Sequence, residues 1–127
     1  RPASLPVRTN APLVERWVVA QAERGRRALP FGSVPLSTAA STDFGNVSVR
    51  VPGIHPLLRI ADPGTALHTR AFADAAASGL ADEAVADGAY GLAAVALDFL
   101  RDDDLAAAVR ADFEASGGAV DVPALFG

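Results

Sequence analysis

The stretch Ser41-Thr42-Asp43-Phe44-Gly45-Asn46-Val47-Ser48-Val49-Arg50-Val51-Pro52-Gly53 decides how this sequence is read as a fold. Residues 47–51 alternate valine with a polar residue, the two-residue period of a strand with one buried face. Pro52 cannot donate to a ladder and Gly53 permits a turn, so the strand is expected to stop there. A second short strand is expected over 57–61, apolar on both faces apart from Arg59, with Asp62-Pro63-Gly64 breaking it. Upstream, residues 28–46 are rich in Gly, Pro, Ser and Thr and carry no helical period.

Helical signals flank this region on both sides. Asn10 is placed to cap a helix whose first turn contains Pro12, where a missing N–H costs nothing. Leu13, Trp17, Ala20 and Arg24 then follow helical spacing, and Gly25 with the arginines closes the helix near 26. Thr69 is expected to cap a short helix reaching Ser78. A long helix follows with Asp82 as its expected cap and Val85, Leu92, Val95, Ala96 and Phe99 as its apolar side. Ala84, Gly88 and Gly91 form a small-residue strip on it. Glycine inside a helix costs about 0.5–1 kcal/mol against alanine, so the strip predicts close packing against a sheet or another helix. Asp102 or Asp103 caps a last helix with Leu105, Ala106, Val109 and Phe113 on its apolar face, stopped by Gly117-Gly118. Residues 1–10 read as an extended leading segment and 117–127 as a loose tail. Because two strands do not make a stable sheet alone, the pattern predicts one of two things. Either the domain is mostly helical with a hairpin, or the strands belong to the edge of a sheet completed by other chain.

Composition narrows the functional classes. The 127 residues suffice for one compact domain, half are apolar and a fifth charged, so a core can be buried. With no cysteine, disulfide scaffolds, thiolate zinc sites and cysteine nucleophiles are excluded. The net charge is −4 and every basic residue is arginine. No positive stripe exists to release counterions from phosphates, so no nucleic-acid partner is expected. Arg24, Arg26 and Arg27 form the one dense basic run, expected to sit at a helix C-terminus where the dipole favours them. No apolar run approaches the ~20 residues of a membrane span, and no signal-peptide core is present, so no membrane partner and a cytoplasmic location are expected. The chain begins at Arg1 without methionine, which suggests a processed or trimmed chain or a piece of something longer.

Chemistry-bearing residues are few. The two histidines, His55 and His68, lie in expected loops, with no spacing that lets both bind one metal from one helical turn. A loop histidine is by default a solvated or hydrogen-bonded side chain. The polar run 41–46 reads as an Asx- or ST-turn leading into the strand. A Ser/His/Asp set can be written from Ser41 or Ser48, His55 or His68, and Asp43, but the strand–nucleophile–helix context it needs is lacking. Asp102-Asp103-Asp104 is a helix N-terminal cluster, and no phosphate loop is present.

The run Ser41-Thr42-Asp43-Phe44-Gly45-Asn46-Val47-Ser48, followed by Val51-Pro52-Gly53-Ile54-His55-Pro56 and His68-Thr69-Arg70-Ala71-Phe72-Ala73, resembles a known family. It is similar to the C-terminal catalytic segment of zinc-dependent amidohydrolases, the family of aminoacylases, p-aminobenzoyl-glutamate hydrolase and related metallopeptidases. The resemblance continues through Asp87-Gly88-Ala89 and residues 93–100, and the helix of 12–26 fits the piece that follows the family's lid domain. It implies an α/β fold, part of a three-layer zinc-peptidase-like catalytic domain, with the order helix, two strands, three helices. Residues 1–10 would lead in from the lid domain. The implied cofactor is zinc in a two-metal site, with His68 as a metal ligand. Asp43 and His55 would fall near that site, orienting a ligand or contacting substrate. The implied substrate is a small amide of the N-acyl amino acid or dipeptide kind.

In that family the other metal ligands and the glutamate base come from the N-terminal half of the catalytic domain, which no part of this sequence resembles. The expected partner is therefore that half, no catalytic residue is assigned on this chain, and the isolated 127 residues are expected to hydrolyse nothing. Edges left unpaired in this way also predict self-association, including homo-oligomers. The competing reading is a non-catalytic binding or structural module that keeps this part of the fold without its chemistry.

Overall fold

The computed structural model describes residues 4–30, 32–33 and 42–125, and within them the regular structure is helical. Helix α1 spans Ala11–Glu23, α2 Phe44–Ser48, α3 Arg70–Ala76, α4 Gly79–Arg101 and α5 Asp103–Ala115, followed by a 3-10 turn at Pro123–Leu125. Three starts follow from local caps. The Asn10 side chain accepts from the Leu13 amide, Thr69 from Phe72 and Asp102 from Leu105, each relieving an orphan N–H of the first turn. The long helix α4 starts four residues earlier than the sequence suggests. Ser78 is its cap, accepting from the Ala81 amide, and Asp82 lies inside the first turn.

Helices α1, α4 and α5 pack against one another, and α3 leans on α4. Leu13, Trp17, Val95, Leu105 and Val109 form the buried centre, with Ala28, Ile54, Leu58 and Phe99 packed around it. The small-residue strip of α4 is the side that packs. Ala84 and Gly91 are buried, and a Cβ on Gly91 would run into the Trp17 ring and the Gln21 amide of α1. Val85, Leu92 and Ala96, expected in the core, instead face outward. Close approach of two helices selects small residues at the crossing, so the bulky ones are displaced to the far side.

Among the described residues the α/β expectation is not confirmed at its deciding stretch. Residues 47–51 are not a strand: 44–48 form α2, and 49–51 continue as a turn. Val49 is buried while Val47 and Val51 are exposed, so the two-residue alternation is not expressed. The cause is non-local. Asn46 Oδ1 accepts from the Leu5 amide (2.9 Å), and Ser48 Oγ accepts from the Arg8 amide (2.9 Å) while donating to the Gly45 carbonyl. The leading segment 4–10 thus engages side chains that a strand would have turned to solvent. A Cβ at Gly45 would overlap the Leu5 carbonyl, so only glycine admits this approach.

The second expected strand also forms no ladder. Residues 54–60 run without helix or turn, and their burial alternates: 54, 56, 58 and 60 are half-buried while 55, 57 and 59 are exposed. No strand is present among the described residues. The C-terminal end is held in part, since the Val120 amide donates to the Val49 carbonyl (2.8 Å).

Candidate functional site

Asp43, His55 and His68 are all exposed in loops or at helix starts. Asp43 precedes α2 without forming a side-chain cap bond. His55 stacks on Phe44, ring centroids 5.2 Å apart and planes inclined by 21°. The Phe44 ring also closes over Gly53, where an added Cβ would fall 2.9 Å from Cζ. Phe44 therefore brings the imidazole of His55 beside the start of α2. Ser41 lies outside the described residues. Ser48 is fully buried with its hydroxyl engaged as donor and acceptor, which removes it as a nucleophile.

His68 is set by a different device. It sits immediately before the cap of α3, where Thr69 Oγ1 donates to the Ala66 carbonyl (2.7 Å) and accepts from the Phe72 amide (3.2 Å). Its φ is 62°, the one non-glycine in the left-handed region among the described residues. Such a conformation costs a side-chain-bearing residue about 1–2 kcal/mol, and backbone strain of this kind gathers at functional sites. No contact joins His68 to Asp43 or His55. Among the described residues no group of three or more His, Cys, Asp or Glu side chains converges as metal donors. A catalytic zinc takes three protein ligands and a water. The described residues therefore do not compose a zinc centre; His68 offers one unencumbered imidazole.

The densest charge cluster gathers two of the arginines expected at the end of α1 around a partner that was not expected, Asp87. Arg24 Nε donates to Asp87 Oδ1 (2.8 Å) and Arg26 Nε to Asp87 Oδ2 (2.5 Å), so one carboxylate of α4 holds both cations. Gln21 Nε2 donates to the Asp87 carbonyl (2.9 Å). The Arg26 and Arg24 hydrogen bonds hold the Asp87 carboxyl below its ordinary range, against a smaller opposing effect of burial. Tyr90 donates its hydroxyl to Glu23, which raises its pKa, and the Arg24 guanidinium lies 5.5 Å from the Tyr90 ring centroid. These arginines sit at the C-terminus of α1, as expected, with Arg24 its C-cap, and two of them are held there by the Asp87 carboxylate as well. The signal was available: Asp87 falls between Ala84 and Gly91 on the small-residue face, and a carboxylate on a packed face needs cations. Beside this cluster an open cleft of about 330 Å³ is lined by Val18, Ala22, Gly25, Arg26, Arg27 and Ala28. None of Asp43, His55 and His68 lines it.

No helix among the described residues is long and apolar enough to cross a membrane. In sequence, this chain is similar to part of a peptidase. The chain is 41% identical over 76 residues to Xaa-Arg dipeptidase of Homo sapiens, and 41% identical over 76 residues to that of Mus musculus. The matched stretch is 60% of this chain and 17% of each dipeptidase. The chain is thus related to a peptidase over a small part of that enzyme's length. No family model and no solved structure matches.

Proposed function

We propose that these residues are the C-terminal portion of the catalytic domain of a metal-dependent amidohydrolase. Its substrate is an N-acyl amino acid or dipeptide-like amide, and His68 is this chain's ligand to a zinc centre built mostly from other chain. The observation that carries the reading is the 41% identity to Xaa-Arg dipeptidase over 76 residues. The left-handed backbone at His68 supports it, because an exposed histidine held in a costly conformation is positioned for something beyond its own loop. Neutral imidazole is a good zinc donor, and zinc in such enzymes activates water for attack on the amide carbonyl.

This chain's own share is positioning. Thr69 fixes the turn that presents His68, through its bonds to Ala66 and Phe72. Phe44 holds the His55 ring by stacking, which leaves His55 and Asp43 open toward solvent for a substrate contact.

The test combines the 127-residue chain with a human Xaa-Arg dipeptidase polypeptide lacking the matched stretch, with zinc, and assays hydrolysis of a dipeptide carrying C-terminal arginine. Turnover lost on His68→Ala, with the complex still formed, supports the reading. A complex that forms but hydrolyses nothing and binds no zinc refutes it, and the binding-module reading then stands.

A further inference from the structure

The end of α1 is shaped by one glycine. Gly25 has a φ of 73°, a value that glycine adopts freely. There the Arg26 amide donates to the Gln21 carbonyl (2.9 Å) and the Gly25 amide to the Ala22 carbonyl (2.9 Å), the paired bonds that close a helix through a left-handed residue. Two results matter for the surface. These carbonyls of the last turn are occupied by amides, which blunts the negative end of the helix. The chain also reverses, so that Arg26, Arg27 and Ala28 come back alongside Val18 and Ala22 and line the cleft of about 330 Å³ with them.

The two arginines of the cleft are held differently. Arg26 is pinned, because its Nε donates to Asp87 Oδ2 (2.5 Å). Asp87 is itself seated by Gln21 Nε2 on its carbonyl and by Arg24 Nε on Oδ1. The Arg26 side chain keeps 20% of its surface exposed, and among the described residues no acceptor is bonded to its Nη1 or Nη2. Those N–H groups are the remaining part of a planar fork whose geometry fits a carboxylate. Arg27 is exposed and enters no ion pair among the described residues. Fixing one donor in advance lowers the ordering cost of capturing an anion.

The lining of the cleft decides which anion. Val18, Ala22 and Ala28 give it an apolar wall, and its volume lies at the small end of ligand pockets. Such a wall offers nothing to the oxygens of an inorganic ion but covers a short hydrocarbon group. The guanidiniums of Arg24, Arg26 and Arg27 stand against the carboxylates of Asp87 and Glu23, which leaves a single positive charge in excess within this cluster. That excess matches a monoanion, whereas a second negative charge would lie unmatched beside Asp87.

We infer that this cleft binds a small organic monocarboxylate, with its carboxylate on Arg26 and Arg27 and its apolar group against Val18, Ala22 and Ala28. None of Asp43, His55 and His68 lines the cleft, so the inference does not draw on the hydrolase reading.

The test titrates the isotope-labelled 127-residue chain with hydrocinnamate and follows its backbone amides by NMR. The amides of Gly25, Arg26, Arg27 and Ala28 shift together and saturate, with a Kd on the order of 1 mM. The corresponding neutral amide keeps the shape without the charge, and inorganic phosphate keeps charge without the apolar group. Each binds more weakly by about tenfold or more. Arg27→Gln removes a charge-assisted contact and weakens hydrocinnamate binding by about tenfold, with the thermal midpoint unchanged. Ala22→Glu, at an exposed position of the wall, sets a carboxylate in the cleft and abolishes binding while the helical circular dichroism is retained. Absence of a saturable shift overturns the inference. So does equal affinity for the neutral amide or for phosphate, or binding that survives Arg27→Gln at full strength.

Discussion

Gly91 of α4 lies directly against Trp17 of α1, so close that a single methyl group at position 91 would enter the indole ring. This contact sets how near the two central helices stand. Gly91→Ala, which improves helix propensity, is nevertheless expected to destabilise the chain by about 1–3 kcal/mol through overpacking. One turn earlier, Gly88→Ala meets only the flexible end of Leu58, and raises the thermal midpoint through the propensity gain of about 0.5–1 kcal/mol. Thermal unfolding of the two variants, opposite in sign, checks the crossing.

Asn10 is buried and works in two directions. Its Oδ1 caps α1 at the Leu13 amide, and its Nδ2 donates to the Val109 carbonyl of α5 (2.9 Å). Asn10→Ala is expected to cost about 2–4 kcal/mol, the sum of a lost cap and a lost buried hydrogen bond. Asn10→Ser keeps the cap alone, and denaturant titration should place it between the parent and the alanine variant.

Asp87 makes stability depend on acid. Its folded value lies below the ordinary 3.8 because Arg26 and Arg24 hydrogen-bond the ionised form. Its contribution is therefore complete above that pH and is lost as the pH falls through the lowered value. Asp87→Asn should melt below the parent at pH 7. The gap between the two should narrow as the pH is lowered from 4 toward about 2. A gap that stays constant across this range would show that the carboxylate charge is not what matters.

His68 occupies a backbone region that glycine visits freely. His68→Gly should stabilise the isolated chain by about 0.5–1 kcal/mol, while His68→Val should cost more than 1 kcal/mol because a β-branched residue is worst placed there. If the glycine variant is more stable and also fails to restore hydrolysis in the reconstituted complex, the loop has been held against its own stability for the imidazole.

Where a structural decision is made within three or four residues, this sequence states it openly. The starts of α1, α3 and α5 were legible because Asn10, Thr69 and Asp102 each bond an amide three positions on. The face of α5 was legible because Leu105, Ala106, Val109 and Phe113 are what it buries. The start of α4 was displaced because Ser78 and Asp82 are both competent caps one turn apart, and the packing decides between them. Residues 47–51 misled because Asn46 and Ser48 are claimed by amides about 40 positions away, which no local period reveals. The expected strand 57–61 forms no ladder among the described residues; the burial alternation found there belongs to 54–60. At the site, the peptidase relationship was visible as a run of letters around Asp43, His55 and His68. The strain at His68 and the stacking of His55 on Phe44 are properties of the folded backbone and have no signature in spacing.

The bonds that bind 8–11 to α5 set a timetable. Arg8 Nη1 donates to the Gly118 carbonyl, the Ala11 amide to Asp112 Oδ2, and Asn10 to Val109. These pairs are 99 to 110 positions apart. During synthesis the bonds from 8–11 to α5 therefore form only after α5 leaves the ribosome, a wait of roughly 5–20 s at usual elongation rates. Through that interval Trp17 and Leu13 have no finished core to enter. The nascent chain must carry them uncovered, which makes the arrival of α5, rather than the formation of α1, the event that commits this polypeptide to its fold.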